Sequence, residues 1–334
     1  MKAVVLVGGF GTRLRPLTLT TPKQMLPVID RPMLEHVIGG LGRHGVDEVT
    51  LSLGYKEDVF REAYPDARCA GVALKYAVEP EPLDTAGAVR FAANAAGIDE
   101  TFIVINGDVF TDLDVSAVWQ RHHEVGAEGT IALTPVDDPS RYGVVPTDPD
   151  GRVTGFVEKP PRDEAPTNWI NAGTYVLEPS VLDRIDADRR VSIERETFPA
   201  LVADGGLWAV KSDAYWVDAG TPYTYLQIQM DLLDGVRGEK VNGVSPDASI
   251  DPAARVERSV IMGGASVAAG AVVRDAVVST GAVIRSEAVV DGSVVGPGAV
   301  VGDRAKVTGL TMIGDGMVVE AGAALDGVKF PESG

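Results

Sequence analysis

The chain is short of the residues that carry redox, zinc and nucleic-acid chemistry. Its 334 residues include one cysteine, Cys69. A single thiol excludes an internal disulfide framework and a cysteine-based zinc site, and Cys69 is expected as a loop or surface thiol without a role. Histidine is nearly as scarce, with four residues, His36, His44, His122 and His123, and none beyond. Aromatics make up only 6%. Cations are outnumbered, 30 Lys and Arg against 48 Asp and Glu, for a formal net charge of −18. That balance argues against a chain that coats nucleic acid or an anionic membrane. If the protein binds phosphates, a local cluster of cations or a metal ion must meet them. No apolar run of about 20 residues is present, so no transmembrane helix is expected. Met1–Val7 runs straight into Gly8-Gly9, without the apolar core of a signal peptide, and a cytosolic location is expected.

What remains is ordinary for a folded protein, 45% hydrophobic and 23% charged, and the length predicts about two domains. Up to about residue 235, strand-like stretches (Val4–Val7, Glu48–Leu53, Thr101–Ile105, Thr130–Pro135, Ile170–Leu177) mix with helix-like ones (Pro32–His44, Leu83–Ala96, Val115–Glu124, Thr221–Leu233). Alternation of this kind predicts a mostly parallel sheet covered by helices on both faces. Residues 236–243 are charged and contain glycine, which reads as a linker between a first domain over 1–235 and a second over 244–330.

The second domain is a repeat. Val, Ile or Leu stands at 250, 256, 261, 267, 273, 278, 284, 290, 295, 301, 307, 313, 319 and 325, with steps of six or five and small residues between. A fixed period of this length marks a solenoid, here a three-sided parallel β-helix with one aliphatic residue per side. Its similarity to hexapeptide-repeat proteins implies the left-handed form.

The strongest chemical signal follows the first strand. Gly8-Gly9-Phe10-Gly11-Thr12-Arg13-Leu14-Arg15-Pro16-Leu17 places three glycines where the backbone can approach a ligand and aim N–H groups at it. It lacks the Gly-Lys-Ser/Thr of a P-loop and the third glycine of the dinucleotide fingerprint. Arginines follow instead, and Pro22-Lys23-Gln24-Met25-Leu26-Pro27 supplies Lys23 in a loop stiffened by prolines. An anion cradle beside Arg13, Arg15 and Lys23 suits a triphosphate.

These residues resemble the signature of the sugar-1-phosphate nucleotidyltransferases, also called nucleotide-sugar pyrophosphorylases. The resemblance continues in family order through Glu81–Gly87, Asn106-Gly107-Asp108, Tyr142–Val145, Phe156–Pro160, Asn171-Ala172-Gly173 and Trp216–Gly220. Within the family, the combination with Ser192–Pro199 is most similar to the guanylyltransferases that act on mannose 1-phosphate. The resemblance implies a Rossmann-like mixed sheet followed by a left-handed β-helix, an α/β fold overall. It also implies the reaction of an NTP with a sugar 1-phosphate to give an NDP-sugar and pyrophosphate, with GTP and mannose 1-phosphate as the expected pair. A phosphate oxygen attacks the α-phosphorus in line, so positioning and charge stabilisation should dominate.

Roles follow from the same resemblance. Gly8, Gly9 and Gly11 pack backbone against the nucleotide, with Thr12 beside them. Arg13 holds the β- and γ-phosphates, and Lys23 stands near the α-phosphate or the attacking phosphate. Asp108 and Asp218 share one Mg²⁺, a hard ion suited to carboxylate and phosphate oxygens. Asp84, Thr85 and Gly87 read the base. Gly143, Glu158, Lys159 and Asn171 form the sugar-phosphate pocket. Plainer readings stand beside these: Asp108 as a turn residue, Asp218 as a helix N-cap before Pro222, Lys23 as a surface lysine, Glu158-Lys159-Pro160 as a solvated strand end.

Two positions depart from the guanylyltransferase pattern. Gln24 stands where proline usually follows the lysine, and Lys-Gln looks more like the thymidylyltransferase branch. Asp84 stands where glycine would precede Thr-Ala-Gly, either to accept hydrogen bonds from guanine or as a surface turn residue. Glucose 1-phosphate or a cyclitol phosphate remains an alternative acceptor, with dTTP an alternative donor, and a non-catalytic sugar-nucleotide-binding subunit is the alternative of another class. An acyltransferase β-helix is disfavoured, because the solenoid has no histidine to act as base. His122-His123 is expected at the surface rather than at a metal, since neighbours on a helix point in different directions. The solenoid is read as an oligomerisation or regulatory module, with a homo-oligomer expected.

Overall fold

Ala3-Val4-Val5, Val49–Leu51 and Ile103–Ile105 are short apolar runs rich in β-branched residues, and such runs are stable where a strand is covered on both faces. In the computed structural model, which describes residues 1–54, 56–187 and 189–332, they form the centre of a ten-stranded sheet and are almost wholly buried. The described chain divides into two compact units, one of Met1–Gly9 with Leu34–Trp216, the other of Phe10–Met33 with Val217–Gly334.

In the first unit, four parallel strands lie in the order Phe102–Asn106, Lys2–Leu6, Glu48–Leu53, Val72–Val78. Helices Met33–Arg43, Glu57–Ala63 and Asp84–Ala96 make the crossovers that parallel pairing requires. The rest of the sheet differs from the mostly parallel arrangement that alternation predicted. Trp169–Leu177 runs antiparallel to Phe102–Asn106 along one edge and to Gly129–Pro135 along the other. Gly143–Val144 and Val157–Glu158 continue the sheet antiparallel, and Leu207–Lys211 returns parallel to Gly129–Pro135. The reason lies in the connection: no α-helix stands among the residues between Pro135 and Trp169, so the chain doubles back by hairpin pairing. The mixed sheet implied by the family resemblance is what forms. Val72–Val78 and Leu207–Lys211 went unread as strands because Lys75, Tyr76 and Trp208 interrupt their apolar pattern.

In the second unit, helix Pro222–Asp234 starts with a capping box in which Thr221 and Thr224 satisfy each other's backbone N–H groups. It ends at Gly235, which adopts the left-handed conformation that glycine tolerates. The helix grips the segment Phe10–Met33: the Pro27 carbonyl accepts from Tyr225 Oη at 2.5 Å and Gln229 Nε2 at 2.9 Å, and Gln229 Oε1 accepts from Ile29 N–H at 2.7 Å. Beyond it, three parallel sheets of five short strands each form the β-helix. Every one of the predicted aliphatic positions lies in one of these strands, and Ile261, Val278, Ile284, Val295, Val301 and Ile313 are fully buried in its interior. Early coils advance by one shortened side, pairing Val277 with Val294, whereas Val294 pairs with Met312 because Gly309-Leu310 restores a full side. Arg258 fastens the helix to the coils, donating to Asp234 at 2.6 Å and Asp275 at 2.6 Å.

Candidate active site

Parallel strands deliver their carboxyl ends to one edge, the place where α/β sheets take ligands. In the first unit that edge carries Gly8 after Leu6, Gly54 after Leu53, Glu79 after Val78 and Asn106-Gly107-Asp108. The glycines are there for room. A Cβ on Gly54 would stand 3.0 Å from the Gly8 carbonyl, and one on Gly107 would stand 2.7 Å from Val7. Gly107 N–H donates to the Leu6 carbonyl at 2.9 Å, which seats the turn carrying Asp108, itself half-buried, against the first strand.

The residues expected to meet the sugar phosphate gather beside it. Pairing of Trp169–Leu177 with Gly129–Pro135 shifts register between Asn171 and Tyr175, and Gly173 lies at φ +72°. Bulges of this kind re-aim side chains. Asn171 uses its Oδ1 to accept from Gly173 N–H at 2.8 Å and its Nδ2 to donate to Tyr175 Oη at 2.9 Å. Gly143 pairs with Glu158 across the hairpin, and a Cβ on it would stand 2.6 Å from the Phe156 ring and 3.2 Å from Glu158 Oε2. Lys159, at φ +49° and largely exposed, pairs with Glu158 at 3.1 Å. Burial, and then the nearby carboxylate of Glu194, push the Tyr175 hydroxyl well above its usual range; Glu158 and Asp108 add to this, against the hydrogen bond with Asn171. One buried hydroxyl thus senses three carboxylates.

The segment expected to read the base is held from an unexpected side. Thr85 Oγ1 donates to Glu194 Oε2 at 2.8 Å and accepts from Ile193 N–H at 2.8 Å. Glu194 belongs to the Ser192–Pro199 stretch that carried part of the family resemblance, yet spacing alone gave it no role. Gly87 sits at the start of helix Asp84–Ala96, where a Cβ would stand 2.9 Å from Leu83. Asp84 is exposed, at φ +63°, with its Oδ1 accepting from Thr85 N–H at 2.8 Å. The family's glycine is explained by that φ, and aspartate is among the few side chains that tolerate it. Glu79 was missed altogether. Its nearly buried carboxylate accepts from Ser52 Oγ at 3.0 Å and from Leu83 N–H at 3.1 Å, tying strand ends to this turn beside Gly8. Its only sequence signal was an acid directly after an apolar strand.

The second unit holds Arg13 and Lys23. Gly11 lies at φ +60°, wedged between Lys23 Cβ and Thr18, each 3.0 Å from where its own Cβ would be, and Thr18 Oγ1 donates to the Gly11 carbonyl at 2.8 Å. Thr12 and Arg13 begin a short 3₁₀ turn and are exposed. Lys23 is nearly fully buried, which removes its reading as a surface lysine, and its Nζ stands 3.9 Å from Asp218 Oδ1. Asp218 is not the N-cap of the following helix, since Thr221 fills that place. A Cβ on Gly220 would stand 2.5 Å from Arg13 Nη2 and 2.9 Å from Asp218 Oδ1, so the guanidinium and the carboxylate both lean on this glycine. Gln24 is buried, and its Oε1 has no hydrogen-bond partner. The structure therefore collects Gly8, Gly9, Asp84, Thr85, Gly87, Asp108, Gly143, Glu158, Lys159 and Asn171 in one unit, and Gly11, Thr12, Arg13, Lys23 and Asp218 in the other.

Two expectations outside the site are corrected. His122 is buried rather than on the surface, its Nδ1 2.9 Å from Thr130 Oγ1 and its Nε2 3.0 Å from Glu178 Oε1, because the helix Val115–Val125 turns that face to the sheet; His123 is exposed. Cys69 is buried as well, in the strand Arg68–Cys69, and burial pushes its thiol up to about 12. Among the described residues, no group of three or more His, Cys, Asp or Glu is arranged to hold a metal ion, and no helix is long and apolar enough to cross a membrane.

Comparison with known proteins identifies the family. A nucleotidyl transferase family model matches residues 2–235, and a model described as the GMPPB C-terminal domain matches residues 239–330. A mannose-1-phosphate guanylyltransferase of Mycobacterium tuberculosis is 40% identical over 296 residues, 80% of this chain and 81% of that protein. A mannose-1-phosphate guanylyltransferase catalytic subunit beta of Drosophila melanogaster is 39% identical over 263 residues, 76% of this chain and 70% of that protein. Among solved structures, HddC from Yersinia pseudotuberculosis, determined also in complex with GMP-PN, has a TM-score of 0.59 and 31% identity, covering 68% of this chain and 97% of its own. With its mixed sheet, its glycine-rich turn and its appended β-helix, the chain belongs to the nucleotidyl transferase family.

Proposed function

We propose that the protein transfers a guanylyl group from GTP to mannose 1-phosphate, giving GDP-mannose and pyrophosphate. The observation that carries the reading is the constellation of Arg13, Lys23 and Asp218 around Gly220, in a chain whose relatives are named for that reaction. An oxygen of mannose 1-phosphate bonds to the α-phosphorus of GTP while the bond from that phosphorus to the β-bridging oxygen breaks, and the electron pair leaves with pyrophosphate. No proton need be abstracted from a phosphate already ionised, so the work lies in bringing two anions together and stabilising the departing charge.

Arg13, exposed on its turn, takes the β- and γ-phosphates and offsets the charge on the leaving pyrophosphate. Lys23, buried and therefore little screened by solvent, faces the α-phosphate. Gly8, Gly9 and Gly11 let backbone N–H groups approach the triphosphate, and Thr12 begins the turn that follows. Lys159 grips the sugar phosphate while Glu158 accepts from sugar hydroxyls, and Asn171 fixes the bulge beneath them. Thr85 and Gly87 hold the turn that meets the base, with Glu79 and Glu194 bracing it.

Asp108 and Asp218 supply hard oxygen donors, which fit Mg²⁺ together with phosphate oxygens. The Lys23–Asp218 separation of 3.9 Å, longer than a charge-assisted hydrogen bond, is compatible with that use. When bound, the ion would neutralise phosphate charge and polarise the α-phosphate.

The acidic surface fits a protein of the cytoplasm, and Val318 and Val328, exposed on the last coils, support a homo-oligomer formed through the β-helix; light scattering on the purified chain tests the latter. The linker at residues 236–243 divides the chain in sequence, but the division we propose for function crosses it, because Phe10–Met33 groups with the β-helix.

Pyrophosphate release with Mg²⁺, measured across GTP, dTTP, UTP, ATP and CTP with mannose 1-phosphate and glucose 1-phosphate, tests the reading. Preference for GTP with mannose 1-phosphate is expected. Preference for dTTP with glucose 1-phosphate would reassign the base and make Gln24 the better clue. Binding of GDP-mannose without release in any pair would point to a non-catalytic subunit.

A further inference from the structure

We propose that the last coil of the β-helix is a positioning element for the nucleotide loop, acting through Lys329 on the backbone of Arg13 and through Asp315 on Thr20. The inference rests on the role given above to Arg13. Lys329, in the strand Lys329–Phe330, donates from its Nζ to the Arg13 carbonyl at 3.0 Å. Thr20 donates from its hydroxyl to Asp315 Oδ2. Between these two, Gly314 lies so close to Pro16 that a Cβ would stand 3.1 Å from Pro16 Cβ and 3.2 Å from its Cγ. Three contacts thus clasp residues 13, 16 and 20 against residues 314, 315 and 329, all within one compact unit.

The loop requires such a clasp on physical grounds. Phe10, Thr12 and Arg13 are exposed, and Gly11 has the conformational freedom that makes an anion cradle adaptable but costly to order. Helix Pro222–Asp234 holds the far end of the segment at Pro27 and Ile29. Lys329 holds the near end at the residue that carries the guanidinium. A cation on that carbonyl fixes where the Arg13 side chain begins without touching the ligand, so Lys329 acts through Arg13. The solenoid then serves the site directly, beyond an assembly or regulatory module.

Full-length Lys329→Met and Lys329→Arg test the inference, with Lys306→Met, on another sheet of the solenoid, as control. In Lys329→Met, kcat/KM for GTP is expected to fall about fivefold, the net scale of one ordinary hydrogen bond, since solvent weakens this exposed one, with KM for mannose 1-phosphate unchanged. Lys329→Arg should recover most of the loss. Tryptic cleavage of the Arg13–Leu14 bond in the native protein should quicken in Lys329→Met and not in the control. In an Arg13→Gln background, Lys329→Met should add no further loss. Unchanged kcat/KM and cleavage, or equal losses for both substrates with a lowered melting temperature, would overturn the proposal. If Arg13→Gln alone leaves kcat/KM for GTP intact, the role of Arg13 fails instead. The clasp is then judged on cleavage alone, faster cleavage supporting it and an unchanged rate overturning it.

Discussion

Lys23 Nζ stands 3.9 Å from Asp218 Oδ1, the lysine nearly buried and the aspartate half-buried. A buried lysine is costly unless a carboxylate faces it, and this one is separated from Asp218 by almost the whole of the sheet domain in sequence. The pair is also the point where a proposed phosphate-binding cation meets a proposed metal ligand. Asp218→Asn is expected to lower turnover by about a hundredfold or more, the scale of removing one group that stabilises transition-state charge. Asp108→Asn should do likewise and melt near the wild-type temperature, whereas Asp218→Asn should melt lower, because it takes away the carboxylate that faces the buried Lys23. Steady-state pyrophosphate release with a circular-dichroism melt checks this. Wild-type rates in both variants would remove the metal assignment.

Gly220 tests the arrangement from the other side. Its Cα faces both the Arg13 guanidinium and the Asp218 carboxylate, at distances where an added methyl group has no room. The flexible end of Arg13 gives way more easily than backbone, so Gly220→Ala should fold and displace the guanidinium. We expect a loss of about tenfold in kcat/KM for GTP, a small part of what misplacement of reacting groups can cost, with mannose 1-phosphate affinity unaffected. An unaltered kcat/KM would mean that Arg13 does not need its observed place.

Asp84 separates two uses of one carboxylate. At φ +63°, with Oδ1 already accepting from Thr85 N–H, its task is to hold the turn. Asp84→Gly should therefore keep the preference for GTP, with KM within about twofold, while Asp84→Ala should destabilise the fold by about 1 kcal/mol because alanine resists the left-handed region. A collapse of GTP preference in Asp84→Gly would instead give that carboxylate to the guanine.

The fold was legible where a period or a run dominates. The strand Glu48–Leu53 and the aliphatic ladder from Ile250 to Leu325 emerge at the expected positions, because buried strands and hexapeptide coils write their burial into sequence directly. The antiparallel half of the sheet was not legible, since pairing direction depends on what the connection between Pro135 and Trp169 does, and hairpins there carry no periodic mark. Gly8, Arg13, Lys23, Asp108 and Asp218 could be proposed from the sequence because their motifs are local. Glu79, Glu194 and Lys329 were not, because each acts through a partner distant in sequence: Ser52 and Leu83, Thr85, and Arg13. His122 failed for a related reason. Adjacent histidines on a helix point apart, but that leaves open which of them meets the sheet.

His122 gives the protein an acid-sensitive joint. It lies between Thr130 Oγ1 and Glu178 Oε1, bridging the helix Val115–Val125 to the strand Gly129–Pro135 and to the residue that follows the strand Trp169–Leu177. Burial holds its pKa below the ordinary 6.5; the Glu178 carboxylate opposes that shift, and neighbouring His123 adds to it. Glu178 is pushed up by burial, yet hydrogen bonds from Thr101 and His122 outweigh this and leave it below its ordinary 4.5. Both folded-state values are depressed, so the unfolded chain binds more protons in each window. The stability tied to His122 is complete above pH 6.5 and declines as pH falls through its folded value; that tied to Glu178 is complete above pH 4.5 and declines below it. The melting temperature should therefore drop between about pH 7 and pH 5, in the histidine range. His122→Gln, which retains hydrogen-bonding groups without the titration, should start lower and show a shallower drop over the same interval. Parallel curves for the two proteins would place the acid sensitivity elsewhere.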